Sequence, residues 1–234
     1  MTQYYSNSYE QDGLRKYINS VFMTMGIGMV ITAAIAYYCF YDLMSGGFIA
    51  RMIYTNPLSS WILLIAQIAI VFSISGRVQK MSVGNARVMF YLYCVINGVT
   101  FGTLPLAYGV QNVFVAFMYA AVLFICCAII GKTTKVDLTN FSGLFMGGLI
   151  ALLIMQILNM FFGFGGSAIG FLGIALFMGL TAWDMQMIKR NYYYLANNGE
   201  AAAKYSIISA LSLYLDFINI FLYVLQIMGR SSND

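Results

Sequence analysis

Seven long apolar stretches set the strongest limit on what this chain can fold into. They cover residues of about 17–41, 58–75, 88–106, 113–131, 141–162, 168–188 and 206–229. About 20 helical residues cross a bilayer core of about 30 Å, so each stretch is about long enough to span a membrane. Of the 234 residues, 61% are hydrophobic and only 9% are charged, which is too apolar for a protein with one aqueous core. The sequence predicts an all-α integral membrane protein, a bundle of seven transmembrane helices.

The ends of the chain and its connections are short. Residues 1–16 are polar and contain no apolar segment of the signal-peptide type, so we predict an N-terminal cytoplasmic tail with no cleavable signal. We expect residues 17–229 to form one membrane domain and residues 230–234 a short C-terminal tail. No connection between spans is long enough for a soluble domain.

The distribution of Lys and Arg predicts the orientation of the chain in the membrane. Ten basic residues fall on the side of the N-terminus and two on the opposite side. The ten are Arg15, Lys16, Arg77, Lys80, Arg87, Lys132, Lys135, Lys189, Arg190 and Lys204, and the two are Arg51 and Arg230. Because cytoplasmic loops are enriched in positive charge, we expect a cytoplasmic N-terminus and an external C-terminus.

Several classes of site have no support in the composition. The chain has no histidine, which excludes histidine-based metal sites, general bases and pH sensors. The cysteines lie in apolar runs without metal-ligand or disulfide spacing, and they are Cys39, Cys94, Cys126 and Cys127. The basic residues are scattered among loops, so we expect no nucleic-acid partner. We expect no cofactor.

Pairs of small residues four positions apart predict close packing of helices. Such pairs let two helix backbones approach each other in a membrane. They occur at Gly98 and Gly102, Gly143 and Gly147, and Gly166 and Gly170.

The last apolar stretch, residues 206–229, carries one polar stripe. Its polar residues follow one another at steps of three and four, and they are Ser209, Ser212, Asp216, Asn219, Tyr223 and Gln226. This spacing places them on one face of a helix. An acid in the middle of a span costs several kcal/mol unless it is protonated, paired or hydrated, so Asp216 is a candidate functional residue.

A second acid, Asp184, lies near the cytoplasmic end of the sixth predicted span. The sixth and seventh spans are consecutive and antiparallel, so both acids fall in the cytoplasmic half. If their carboxyl groups meet, the two cannot easily both ionise, and they tend to share a proton that acts as a pH-sensitive latch. Fully ionised, the pair is an incomplete oxygen site suited to transient contact with Ca²⁺. The alternative is that each acid separately pairs with a backbone, hydroxyl or amide group.

Other intramembrane polar residues are candidate partners of this pair. Arg77, at the cytoplasmic end of the second span, either reaches the acids or lies at the interface as an ordinary basic residue. The candidates for lining a pore or a polar stripe are Asn219, Ser212, Tyr223 and Asn97. An intramembrane aspartyl protease would require a different sequence around each acid from Trp183-Asp184 and Tyr214-Leu215-Asp216, so we expect no enzyme activity.

Three segments resemble a known family. The segment ALSLYLDFINIFLYVLQIMG, residues 210–229, resembles the signature of the Bax inhibitor-one family, also called the transmembrane Bax inhibitor motif family. The segment GLTAWDMQMIK, residues 179–189, is similar to its sixth-span motif, small-x-Tyr-Asp-x-Gln, with Trp183 in the place of the tyrosine. The segment KTTKVDLTNF, residues 132–141, is similar to the bacterial branch. The resemblance extends from about residue 14 to 229, and its bacterial type implies location in the cell inner (plasma) membrane.

The resemblance implies a seven-helix bundle in which the last helix is central. It also implies an ion channel for calcium transport, a leak of Ca²⁺ whose pH sensing and gating depend on a pair of aspartates, here Asp184 and Asp216. Ca²⁺ is then the permeant ion and protons are the signal, and the family's second-span arginine corresponds to Arg77. The resemblance leaves open a non-conducting membrane regulator that binds a membrane-bound protease or another complex, with a docking segment at Tyr4, Tyr5 and Tyr9.

Overall fold

A computed structural model of the chain describes residues 2–51, 56–162, 167–195 and 198–231. Within these ranges the chain is helical and has no strand. The α-helices are α1 (Thr2–Ser45), α2 (Pro57–Arg77), α3 (Val83–Phe101), α4 (Leu104–Tyr108), α5 (Val110–Thr133), α6 (Ser142–Phe162), α7 (Ser167–Leu195) and α8 (Gly199–Ser231). Short 3-10 turns occupy Val78–Lys80 and Leu138–Phe141.

Seven helices of the described residues are long and apolar enough to cross a membrane, as predicted. They are Gln11–Ser45, Leu58–Lys80, Val83–Tyr108, Val110–Thr133, Leu138–Asn159, Ala168–Leu195 and Gly199–Gly229. The last is the most buried: 72% of its most apolar window is buried, against 6–39% for the other six. The predicted fold class, with a central last helix, is confirmed. Helix α1 extends further towards the N-terminus than the predicted span, because residues from Thr2 onward are already helical.

Capping residues explain where several helices begin and end. Pro57 opens α2, where its missing N–H costs nothing, and the Asn56 side chain accepts a hydrogen bond from the Leu58 N–H at 3.0 Å. Ser82 caps α3 by accepting from the Asn85 N–H at 3.2 Å. Gly46, which follows α1, has a φ of 67°, a conformation that glycine adopts at little steric cost and that often terminates helices.

The chain divides into two compact units. The first comprises Met1–Ala107 and Ile188–Tyr214, and the second comprises Tyr108–Met187 and Leu215–Asp234. In the first unit, α1 and α2 both pack against α3. A Cβ atom at Gly98 would lie 2.8 Å from the Thr32 carbonyl oxygen, so the α1 and α3 backbones approach closely there, as the glycine spacing predicts.

The glycine spacing is a poor guide elsewhere. Among the described residues, Cβ atoms at Gly143 and Gly147 would meet nothing within 4 Å, so the prediction that these two glycines pack against a helix is wrong there. In the second unit a Cβ atom at Gly170 would lie 2.8 Å from the Ile227 side chain, whereas its predicted companion Gly166 is outside the described residues. The spacing places two glycines on one face of a helix, but it does not say whether that face meets another helix.

A buried hydrogen-bond chain ties α8 to α1 and α3 in the first unit. Thr32 Oγ1 lies 2.7 Å from the Tyr214 hydroxyl and 3.0 Å from the carbonyl oxygens of both Cys94 and Gly28. A threonine hydroxyl has one proton and a carbonyl oxygen only accepts. Thr32 therefore donates to a carbonyl, and Tyr214 donates to Thr32.

The substitution Tyr214→Phe should therefore destabilise the protein. Tyr214 is fully buried, and its ring meets those of Phe90 and Tyr93 edge-on, so the change removes the hydroxyl and leaves the packing in place. We expect the free energy of unfolding to fall by about 1–2 kcal/mol, measured by thermal unfolding in detergent. The matched control is Tyr38→Phe, since Tyr38 is 58% exposed. Equal stability of the two variants would contradict the importance of the Tyr214 bond.

Candidate functional site

The two intramembrane acids meet in the second unit. Asp184 of α7 and Asp216 of α8 place their carboxyl groups within hydrogen-bonding reach of each other. Asp216 is buried, with 5% of its surface exposed, and Asp184 is half-buried. The structure thus brings together the two acids that the sequence singled out.

A threonine completes the immediate surroundings of Asp216. The Thr181 hydroxyl is within hydrogen-bonding reach of the Asp216 carboxyl group, and it also donates to the Phe177 carbonyl oxygen at 2.8 Å. It has one proton and cannot fully satisfy both acceptors. Asp216 Oδ2 is buried and has no hydrogen-bond partner among the described residues. A proton shared with Asp184, or rotation of the Thr181 hydroxyl, would satisfy this oxygen.

The acid pair alone is an incomplete cation site. Ca²⁺ takes about six to eight oxygen ligands in proteins. Among the described residues, no group of three or more Asp, Glu, Cys or His side chains is arranged to hold a metal ion. A cation that contacts Asp184 and Asp216 would therefore need water or backbone oxygens for the rest of its shell.

Close packing fixes the turn of α7 that carries Asp184. A Cβ atom at Gly131, near the end of α5, would overlap the backbone of Ala182, so these two helices nearly touch. On the α6 side, the Phe145 ring lies 6.5 Å from the Trp183 ring and would be 2.7 Å from a Cβ atom at Gly179. The backbone around Asp184 is thus held by α5 and by α6.

Gln186 adds a polar attachment two residues after Asp184. Its side-chain Nε2 donates to the Val136 carbonyl oxygen at 2.6 Å, and its Oε1 accepts from the Leu138 N–H at 2.9 Å. Both partners belong to the segment between α5 and α6. One side chain thereby ties that segment to α7.

Two predicted lining residues lie further along α8 in the second unit. Asn219 is half-buried, and its side-chain amide donates to the Leu215 carbonyl oxygen of its own helix at 2.8 Å. Tyr223 is buried, and its hydroxyl accepts a hydrogen bond of 3.3 Å from Gln156 Nε2 of α6. The polar stripe is thus partly engaged in bonds within the unit.

The remaining predicted residues lie in the first unit. Asn97 is buried in α3 and donates to the Tyr93 carbonyl oxygen at 3.0 Å, and Ser212 of α8 is half-buried. Arg77 is exposed at the C-terminal end of α2. A role for Arg77 as partner of the acid pair stays a prediction, as do the lining roles of Asn97 and Ser212.

A comparison with protein families identifies the family of this chain. The model of the family described as inhibitor of apoptosis-promoting Bax1 matches residues 14–233. The chain belongs to this family. The resemblance predicted from the last two spans is thereby confirmed.

Relatives of this Bax inhibitor family member occur in diverse bacteria. A protein of Borreliella burgdorferi is 34% identical over 94% of both chains. The inner membrane protein YbhL of Escherichia coli is 32% identical over 93% of both chains. A membrane protein of Streptococcus pyogenes is 32% identical over 94% of both chains. The seven spans and these relatives together make the chain a multi-pass membrane protein.

Three residues near the acid pair of this family member were not selected as site residues from the sequence. Thr181 has a local signal, because it lies about one turn before Asp184 on the same helix. Gln186 occupies the glutamine position of the sixth-span motif. The motif is visible in the sequence, but it does not indicate which groups the glutamine side chain bonds. Gly131 has no local signal, because its contact with Ala182 depends on how α5 and α7 pack.

Proposed function

We propose that this protein is a pH-sensitive calcium-leak channel gated by Asp184 and Asp216. The observation that carries the proposal is the facing pair of carboxyl groups, with Asp216 Oδ2 buried and without a hydrogen-bond partner among the described residues. Two carboxylates at such close range in a poorly solvated site disfavour double ionisation. They titrate as a coupled pair and hold one proton between them.

The shared proton acts as a latch between two helices. While it is held, a hydrogen bond links α7 to α8 and the leak is closed. Loss of the proton sets two negative charges against each other, and a second proton replaces the strong charged hydrogen bond with a weaker neutral one. The ionised pair also offers oxygen ligands to a passing Ca²⁺ ion, with water completing its shell.

The membrane and the orientation are part of this proposal. The relative YbhL is named an inner membrane protein, and we infer the same location for this chain. The ten-to-two distribution of basic residues supports a cytoplasmic N-terminus and an external C-terminus. The acid pair then lies in the cytoplasmic half of the membrane, where it would sense cytoplasmic pH.

Calcium flux in proteoliposomes tests the proposal. We expect the flux through the wild-type protein to vary across a pH series, and the flux through Asp184→Asn and Asp216→Asn to lose this dependence. Asp42→Asn is the matched control, because Asp42 is an acid outside the pair whose carboxylate accepts a hydrogen bond from the Ala50 N–H at 2.8 Å. Wild-type flux and pH profile in both site variants would overturn the gating role. No flux through the wild-type protein would favour the non-conducting regulator.

A further inference from the structure

The segment between α5 and α6 is attached to α7 beside the acid pair by one side chain. We call residues 134–141 the connector. Gln186 donates to the Val136 carbonyl oxygen at 2.6 Å and accepts from the Leu138 N–H at 2.9 Å, so both ends of its amide are used on the connector backbone. Gln186 lies two positions after Asp184 on α7. These two hydrogen bonds join the connector to the part of α7 that carries Asp184.

The connector is held in shape by its own bonds. Thr134 Oγ1 accepts from the Val136 N–H at 3.2 Å. Asp137 Oδ1 accepts from the Thr139 N–H at 3.0 Å and from the Thr139 hydroxyl at 2.6 Å. These turns fix the carbonyl and the N–H that Gln186 binds, so the glutamine meets a preformed pair of backbone groups. The connector therefore has a backbone shape set by its own hydrogen bonds.

We propose that Gln186 is a positioning residue that couples the acid pair to the connector. It holds the Asp184 turn of α7 where that carboxyl group meets Asp216, and it passes a change at the pair to the cytoplasmic surface. The contact of Gly131 with the Ala182 backbone fixes the other side of the same turn. The two hydrogen bonds of Gln186 therefore act on a closely packed part of α7. The inference rests on the proposed pH-sensing role of the pair.

Few charged groups lie on the elements around Gln186 and the acid pair. Each acid faces the other acid. Helix α6 carries no charged residue, and α5 carries only Lys132, near its C-terminal end. The connector carries Lys135 and Asp137, both exposed, and α7 carries Lys189 and Arg190 beyond Gln186. The two hydrogen bonds of Gln186 are made to backbone groups of the connector and not to any of these charged side chains.

The variant Gln186→Met tests the coupling, because methionine keeps the length and helix preference of glutamine but makes neither bond. A loosely held pair binds its shared proton less tightly, so the midpoint of the pH response of Ca²⁺ flux should shift to lower pH by about 0.5–1 unit. The matched control is Thr133→Val. It removes a hydroxyl that donates to the carbonyl oxygens of Ile129 and Ile130 in its own helix, and the midpoint of this variant should stay at the wild-type value.

A spin label on the connector gives a readout that needs no conduction. We would attach it at Lys135→Cys in a Cys126→Ser background, because Cys126 is the exposed cysteine of the described residues. In this labelled protein, the parent for the comparison, the mobility of the label should change with pH. Adding Gln186→Met should make the mobility high and independent of pH. Gln186→Glu keeps the acceptor for Leu138 but cannot donate to Val136 when ionised. Gln186→Glu should also raise the mobility of the label, and it replaces Gln186→Met in this measurement if that variant does not fold.

The outcomes separate this inference from the proposed function. An unchanged flux midpoint in Gln186→Met overturns the coupling, as does a label whose pH response survives in that variant but disappears in Asp216→Asn. A label that never responds to pH in the parent overturns it as well. A label that responds to pH through Gln186 while the wild type shows no Ca²⁺ flux supports the coupling and overturns only the channel.

Discussion

Replacing Asp184 or Asp216 with alanine should give a high Ca²⁺ flux at every pH, whereas asparagine should give a low flux at every pH. An asparagine amide can donate a hydrogen bond to the remaining carboxylate, as the shared proton does, so it imitates the latched state. Alanine supplies no donor and leaves α7 and α8 without this link. The two substitutions at one position should therefore move the flux in opposite directions.

The measurement is Ca²⁺ flux in proteoliposomes across a pH series, with thermal unfolding in detergent to confirm that each variant is folded. The double variant Asp184→Asn/Asp216→Asn should be as insensitive to pH as either single variant, because one substitution already removes the shared proton. Such non-additivity is the mark of residues that act as a unit. Independent, additive effects of the two substitutions, or equal flux for the alanine and asparagine variants, would contradict the latch.

The second large effect should come from a residue with no polar chemistry, Gly131. In Gly131→Ala the new methyl group would lie 2.7 Å from the Ala182 Cα and 2.8 Å from its carbonyl carbon, well inside van der Waals contact. A flexible side chain could move aside, but a helix backbone cannot. We expect α5 and α7 to separate and the free energy of unfolding to fall by about 1–3 kcal/mol, measured by thermal unfolding in detergent.

The matched control for this substitution is Gly147→Ala. Gly147 lies inside α6, and a Cβ atom there would meet no atom within 4 Å in the part of the chain that the structure describes. Because alanine favours a helix more than glycine does, this variant should keep its stability or gain up to about 1 kcal/mol. A stable Gly131→Ala protein with wild-type pH response would show that the α5–α7 contact does not hold the Asp184 turn. Loss of stability in Gly147→Ala would show that its face meets a partner.

Several features of this protein depend on local composition and period, and they can be read from the amino-acid order. Length and hydropathy specify the seven spans, and Pro57 and Ser82 specify helix starts through their own backbone chemistry. The steps of three and four along α8 place Asp216, Asn219 and Tyr223 on one face. The cost of an acid in a membrane identifies Asp184 and Asp216 as candidates, and the family motifs around both acids are recognisable in the sequence.

Which of these surfaces meet depends on the tertiary structure. Gly98, Gly143 and Gly147 all belong to pairs of glycines four positions apart. Gly98 packs against a neighbouring helix backbone, whereas a Cβ atom at Gly143 or Gly147 would meet no described atom within 4 Å. The tertiary structure also gives Gln186 its two bonds on a connector about 50 residues earlier, and it leaves Asp216 Oδ2 without a hydrogen-bond partner among the described residues. The period of a helix is fixed by bonds between residues four apart. The rotation and register of one helix against another depend on side chains distant in sequence, which no local pattern contains.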